Sequence, residues 1–367
     1  MSFYEIIDKY KNIDIDEYLE NVSEEDVLKS IGKTKLDDYD LLNLLSKTAV
    51  KYLEQMAQKA NRLTNQHFGK TISLYTPMYI ANYCINKCAY CSYSIDSGIK
   101  RKKLNLEEVK KEGDCISQQG FKHLLILTGE SKLHSSVEYI GEAVENLKDK
   151  FSSLSIEVYP MEVDEYTHIV EKGVDGLTIY QETYNEEIYK TVHIKGPKSN
   201  YKFRLDAPER GVKAGMRNVS IGALLGLSEF RKETFFTILH GSYLKRKYPH
   251  VDVCYSTPRI RPFKGCYEEL IEISDTDLVQ AIICMRLFDP HAGINISTRE
   301  DLNMRRNLIP IGVTKLSASV STDVGGHSQG EQDTAQFKTN EDSELKDVKD
   351  MLKSIGYQHI FKDWERL

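Results

Sequence analysis

After Phe68 the chain alternates short β-rich apolar runs with amphipathic stretches. Eight runs read as strands: "TISLYTP" (71–77), "HLLILTG" (123–129), "SIEVYP" (155–160), "GLTIYQE" (176–182), "RNVSIGAL" (217–224), "DVCYSTP" (252–258), "AGINIST" (292–298) and "GVTKLSAS" (312–319). Each but the last is followed by a segment long enough for a crossover helix, such as "NLEEVKKEGDCISQQG" or "SSVEYIGEAVENLKDKF". This order predicts parallel pairing and, at this length, a (β/α)8 TIM barrel. Periodicity does not show closure, so an open doubly wound sheet is the alternative.

The ends read differently. Residues 1–70 are a helical arm, strongest in "DDYDLLNLLSKTAVKYLEQMAQKANRLT". There Leu41, Leu42, Leu45, Ala49, Tyr52, Leu53, Met56 and Ala60 recur at helical steps, and Asp37 or Asp38 can cap the start. The arm carries no evident chemistry and is expected to serve packing or an interface. Past about Gln336 come a polar linker, a helix "DSELKDVKDMLKSIG" and a tail "YQHIFKDWERL" with the sole Trp. The expected organisation is an arm (1–70), a barrel (71–335) and a C-terminal helix and tail (336–367).

Composition narrows the class. The 367 residues carry a net charge of −6, with 40% apolar and 28% charged residues. That permits a large core and argues against nucleic-acid binding. No signal-peptide pattern opens the chain and no apolar run spans a bilayer, so a soluble cytoplasmic protein with no membrane partner is expected. The seven cysteines lack the dense even pattern of a secreted domain.

Three of those cysteines stand together in "NYCINKCAYCSY", as C-x3-C-x2-C. A structural zinc site would pair C-x2-C with a second Cys or His pair. Cys115, Cys254, Cys266 and Cys284 are scattered, and no spacing favours His123, His193, His240 or His327 as a fourth ligand. A ferredoxin-like electron carrier, the reading from another class, needs a fourth cysteine. Asn86, Lys87 and Ser92 suit a loop rather than a core, which favours an iron–sulfur site over zinc or buried structural thiols. In a barrel or an open sheet, ligands bind at the carboxyl ends of strands. Those ends carry Tyr79, Thr128–Glu130, Glu157–Glu162, Gln181–Glu182, Ser256–Arg261, Ser297–Arg299 and Ser317–Ser319, and the cysteine loop joins them.

The cysteine spacing, with Tyr90 before the third cysteine and a first strand before the loop, resembles the radical S-adenosylmethionine (SAM) enzymes. "LYTPMYIANYCINKCAYCSYS", "LILTGES", "IYQETYNEEIYKTVHIKGPKSNYKFRLDAPERGVKAGMRNVSIGALLGL", "STPRIRP", "NISTRED" and "LSASVSTDVGGHS" resemble one branch, the aromatic amino-acid lyases, over roughly 70–367. The resemblance implies a [4Fe–4S] cluster on Cys84, Cys88 and Cys91. SAM would chelate the fourth iron and be cleaved to a 5′-deoxyadenosyl radical. Implied SAM contacts are Glu130 for the ammonium, with Thr128 and Gly129 beside it, and Arg204 for the carboxylate. Glu182 would take the ribose, and Tyr90, Ile221 and Gly222 would flank adenine. Arg299 and Ser317 would grip the carboxylate of L-tyrosine, with Tyr79 in the same pocket. Arg259 and Arg261 would bind either carboxylate or form structural ion pairs. The loop holding Thr322, Gly325, Gly326 and His327 is a lid or a plain surface loop.

The implied reaction breaks the Cα–Cβ bond of tyrosine to give 2-iminoacetate (dehydroglycine) and p-cresol, for the thiazole of thiamine. The lack of cysteine after Cys284 favours this over the tyrosine lyase of [FeFe]-hydrogenase maturation. A tryptophan lyase is a further alternative. Implied partners are thiazole synthase and a flavodoxin or ferredoxin-type reductant. No residue stands out as the acid or base for the phenol proton.

Overall fold

A computed structural model describes residues 2–264, 267, 269–339, 343–362 and 364. Cys266 and most of the "DWERL" end lie outside them. All eight expected strands form: β1 (Thr71–Ala81), β2 (His123–Thr128), β3 (Ser153–Glu157), β4 (Gly176–Thr178), β5 (Asn218–Gly222), β6 (Asp252–Ser256), β7 (Gly293–Ile296) and β8 (Lys315–Ser317). They pair in parallel in chain order. β8 then pairs β1 through Ser73↔Lys315, Leu74↔Leu316 and Tyr75↔Ser317, which closes the barrel and removes the open-sheet alternative.

The pleat divides each strand between two environments. Ile72, Leu74 and Met78 of β1, Leu154 and Ile156 of β3 and Val219 and Ile221 of β5 are buried apolar side chains. Their alternating neighbours Ser73, Tyr75, Ser153, Ser155, Ser220 and Asn295 line the barrel interior. Barrel interiors usually fill with bulky branched side chains. This one is polar and holds space instead, a cavity of about 430 Å³ at the amino end of the strands. Tyr75 and Leu125 also belong to the wall of a smaller cavity at the other end.

Crossover helices start where the local chemistry asks for it. Asn105 accepts from the backbone of Glu108, whose carboxylate returns the bond, and Leu106–Gln118 follows. The long arm helix expected from 37 onward is broken. Asp37 caps Asp38–Leu45, but Ser46 turns to extended backbone, and a 3-10 turn at Thr48–Tyr52 precedes Leu53–Phe68. The Ser46 hydroxyl donates to Asn43 O at 2.7 Å and accepts from Ala49 N at 3.2 Å, which offers the backbone an alternative to the helix.

The arm is part of the barrel's shell. Phe3 stacks on His240 at 4.1 Å, Asn61 Nδ2 donates to Pro310 O at 2.8 Å, and one apolar cluster runs from Phe3 to Tyr357. The tail also differs from expectation. Gln358–Ile360 forms β9, parallel to the first residues of β1 through Thr71↔Gln358 and Ser73↔Ile360. β2 begins pairing only at Thr76, so β9 covers the stretch of β1 that β2 leaves open.

Buried Gln280 donates at 2.9 Å to both Leu44 O and Ser46 O, the carbonyls freed where the arm helix breaks. Gln280→Ala orphans both. It should cost about 1–3 kcal/mol and lower the urea midpoint followed by circular dichroism; Gln358→Ala, on the exposed edge, should leave the midpoint near wild type.

Candidate functional site

The cysteine loop leaves the carboxyl end of β1 and is clamped from two sides. Ile85 N donates to Glu130 O (2.9 Å), and Ala89 N donates to Val192 O (2.9 Å). Lys87–Cys88 pairs antiparallel with His193–Lys195. Asn86 joins both sides: its Nδ2 donates to Glu130 Oε2 at 2.6 Å and its Oδ1 accepts from Lys198 N at 3.0 Å. Gly196, at φ +102°, allows that approach, because a Cβ there would lie 2.3 Å from Asn86 Oδ1.

Cys88 is buried and Cys84 and Cys91 are half-buried. Burial pushes the Cys88 thiol up to about 12, against the pull of Lys198. N–H groups point at sulfur: Asn86 Nδ2 lies 3.7 Å from Cys84 Sγ, Tyr93 N 3.4 Å and Gln336 Nε2 3.9 Å from Cys91 Sγ. Among the described residues, no three Cys, His, Asp or Glu side chains are already gathered around one point. The fit of an iron–sulfur cluster therefore rests on the donor set: three thiols on one loop, with N–H donors to sulfur. Soft thiolate ligands of this kind suit iron–sulfur chemistry.

Tyr90 is fixed through its hydroxyl. It lies 2.8 Å from His193 Nε2, while His193 Nδ1 lies 2.9 Å from Tyr189 O. A carbonyl only accepts, so Nδ1 carries the proton and Tyr90 donates to Nε2. Burial, then Lys198 and Arg204, keep this imidazole neutral by lowering its pKa well below the ordinary value. His193, weighed as a nitrogen ligand from sequence, is a support for Tyr90.

The other expected SAM contacts gather at the mouth. Glu130 sits against the cysteine loop through Asn86, and Thr128 Oγ1 is buried with no hydrogen-bond partner among the described residues. A Cβ on Gly129 would lie 2.4 Å from Tyr83 O, so only glycine fits. Glu182 holds Lys198 Nζ at 2.8 Å and Arg204 Nη2 at 3.1 Å, from a backbone at φ +71°. Arg204 and Glu182 thus face each other in a buried ion pair. Ile221 points outward into the helical shell, 1% exposed, so only its backbone and that of Gly222 are at the strand end. A Cβ on Gly222 would lie 2.0 Å from Ser256 O. Leu224 is the residue of this segment that reaches the cavity wall.

That cavity, about 120 Å³, is lined by Tyr79, Tyr90, Cys91, Glu157, Tyr180, Glu182, Lys198, Arg261, Arg299, Ser317, Gln336 and Phe337 among others. Tyr79 OH donates to Gln336 Oε1 at 3.1 Å. Ser317 Oγ accepts from Thr298 N at 3.1 Å. Arg299 stacks on Phe337 at 3.7 Å and donates to Arg259 O at 3.2 Å, but has no carboxylate at ion-pairing distance among the described residues. Arg259 is different. All its nitrogens are engaged: Nε with Glu300 at 3.0 Å, Nη1 with Asp275 at 2.8 Å and Ile273 O at 3.0 Å, and Nη2 with Glu300 again. It is a structural ion pair and does not line the cavity, which removes it from the expected substrate contacts. Arg261 shares Glu300 at 3.1 Å and still reaches the cavity. The loop after β8 is pinned rather than lid-like: His327 N donates to Glu112 Oε1 at 2.8 Å, and His327 Nε2 lies 2.9 Å from Pro77 O.

Among the cavity residues, Lys198 and Gln336 are not candidates from sequence, and Glu157 enters there only as one of the polar strand ends. Lys198 and Gln336 carry no local pattern; only the fold brings them beside Glu182 and Tyr79. Glu157 had a usable signal: in β3, Ser153, Ser155 and Glu157 alternate with Leu154 and Ile156, so a carboxylate shares the interior parity.

The parallel barrel, the thiol loop after its first strand and the polar mouth agree with the profile of the Radical SAM superfamily, which matches residues 78–238; that of the Biotin and Thiamin Synthesis associated domain matches 256–358. The chain belongs to the radical SAM superfamily, in the family of the 2-iminoacetate synthases. It is 35% identical to the 2-iminoacetate synthase of Escherichia coli (strain K12) over 98% of this chain and 96% of that protein. To the enzyme of that name from Salmonella typhimurium it is 36% identical over 93% and 90%. Among solved structures, HydG, a maturase of the [FeFe]-hydrogenase, superimposes with a TM-score of 0.90 at 26% identity, over 96% of this chain and 80% of that one. No helix of the described residues is long and apolar enough to cross a membrane.

Burial alone would raise the Glu182 carboxyl, but Lys198 and Arg204 outweigh it and hold its pKa below the ordinary value. The stabilisation is therefore complete above the usual glutamate range, about 4.3, and is lost as pH falls through the lowered folded value. Glu182→Ala leaves the buried Arg204 and the half-buried Lys198 without their carboxylate and should cost about 3–5 kcal/mol at neutral pH. Urea titrations should show that difference narrowing in acid.

Proposed function

We propose that this protein is a radical SAM carbon–carbon lyase that cleaves L-tyrosine between Cα and Cβ, giving 2-iminoacetate and p-cresol for the thiazole of thiamine. Near full-length likeness to 2-iminoacetate synthases supports the reaction. The observation in the site that carries the substrate class is Arg299, a guanidinium on the cavity wall beside Ser317 with no carboxylate partner among the described residues. An amino-acid carboxylate would supply that partner through two parallel hydrogen bonds.

In this reading Cys84, Cys88 and Cys91 hold the [4Fe–4S] cluster, which with SAM supplies the one-electron chemistry that starts the reaction. Glu130, with Thr128 and Gly129, faces the SAM ammonium. Arg204 and Glu182 are the carboxylate and ribose contacts, and Tyr90, Ile221 and Gly222 border adenine. Arg204 and Glu182 already meet each other, so binding would exchange part of that pair for SAM. Tyr79 and Arg261 complete the tyrosine pocket. An imine product hydrolyses readily, which favours hand-over to thiazole synthase in a complex. A flavodoxin or ferredoxin would supply the electron.

The test is anaerobic reconstitution followed by SAM, dithionite and L-tyrosine. 5′-Deoxyadenosine and p-cresol should form together; deoxyadenosine without p-cresol would refute the tyrosine lyase. Cyanide and carbon monoxide among the products would point to maturase chemistry instead. Cys88→Ala should form no deoxyadenosine. Arg299→Ala should raise KM for tyrosine roughly tenfold or more, and an unchanged KM would remove Arg299 from the carboxylate site.

A further inference from the structure

Glu157 ends β3 with its side chain in the upper cavity. Its carboxylate has no hydrogen bond or ion pair among the described residues, although it shares that cavity with Arg299. Two opposite charges thus face one small space, and neither is in contact with a countercharge. Leaving polar or charged groups uncompensated in a half-buried site is costly. A zwitterion offers the complement to both, and an α-amino acid is the zwitterion that fits the proposed reaction. If Arg299 and Ser317 take the carboxylate, the ammonium two bonds away needs an acceptor on the opposite wall. Tyr79 is engaged with Gln336 and Glu182 with Lys198 and Arg204. Glu157 is the carboxylate that remains on this wall.

We propose that Glu157 receives the α-ammonium of the amino-acid substrate held by Arg299 and Ser317, and takes its proton. The assignment rests on the lyase reading above. In the transfer an N–H bond breaks with its electron pair left on nitrogen, and an O–H bond forms on Glu157. Substrate is left as a neutral amine, and no oxidant or reductant is required.

The surroundings suit that role. Burial, then Glu182, push the Glu157 carboxyl up to about 7, against the pull of Arg299, Arg204 and Lys198. A group poised there exchanges protons near neutrality. The tyrosines beside Glu157, Glu182 and the cations that act on Glu157 keep their charge between about pH 6 and pH 8. The phenols of Tyr75, Tyr79 and Tyr180 are pushed up by burial and stay neutral. Glu182 is held down and stays ionised, while Lys198, Arg204 and Arg299 stay cationic. Glu157 must be ionised to accept the ammonium, so affinity for the amine should fall as pH drops through the neutral range.

The test compares binding of L-tyrosine and of its desamino analogue, 3-(4-hydroxyphenyl)propionate, to reconstituted protein with SAM by calorimetry. Wild type should prefer tyrosine roughly ten- to hundredfold near pH 8, and less near pH 6. Glu157→Gln should bind both compounds alike at either pH, with its affinity for the analogue unchanged. Glu157→Asp should recover part of the preference. A preference kept in Glu157→Gln, or one that does not vary with pH in wild type, would overturn the assignment. Where Glu157→Gln fails to fold, the wild-type pH series and Glu157→Asp decide. p-Cresol formation by wild type scores the lyase reading separately: its absence refutes that reading, while the amine preference still decides Glu157.

Discussion

Two cations, the half-buried Lys198 and the buried Arg204, converge on the single carboxylate of Glu182, and most of the barrel mouth is organised around that contact. Removing three charges from water is costly, and their attraction offsets this only if all three stay together. The backbone of Glu182 accordingly sits at φ +71°, a conformation that a non-glycine side chain seldom adopts. Its carbonyl accepts from Leu224 N at 2.8 Å, which sets the segment after β5. Arg204 Nε donates to Tyr180 O at 2.7 Å, and Lys198 N reaches the cysteine loop through Asn86. A strained residue four positions past β4 thereby aligns the loop of thiols with the cavity that faces it.

The second constraint is the polarity of the interior. Strand pleating sends Ser73, Ser155, Ser220, Asn295 and Lys315 inward, where a packed barrel would carry Val, Ile or Leu. Small polar side chains leave room. The apolar burial that holds the fold is displaced to the outer layer between strands and helices, where the arm and the C-terminal strand contribute. Stability and reaction space are thus segregated, and the upper cavity can hold unmatched charge without opening the core.

The arginines show how far sequence reasoning reached. Arg259, Arg261 and Arg299 all follow strand ends and read alike in the sequence. Glu300 and Asp275 claim Arg259, Glu300 holds Arg261 at the rim, and Arg299 alone is left facing the cavity without a carboxylate. The apolar period of the arm runs unbroken past Ser46, although the helix stops there; the hydroxyl that ends it competes through hydrogen bonds that periodicity does not register.

The sequence alone determined the eight strands, the crossover order and the cysteine loop. Each rests on spacing within a few residues: a period of two for the pleat, cappable helices between, and three thiols close enough to share a metal cluster. Tertiary structure decided whether the sheet closes, where the last residues go and which charges meet. Closure depends on β8 reaching β1, and ion pairing on which groups the barrel brings within about 4 Å. Lys198, Glu157 and Arg299 acquire their roles at that level, because a charge is defined functionally by the partner it finds or lacks across the barrel.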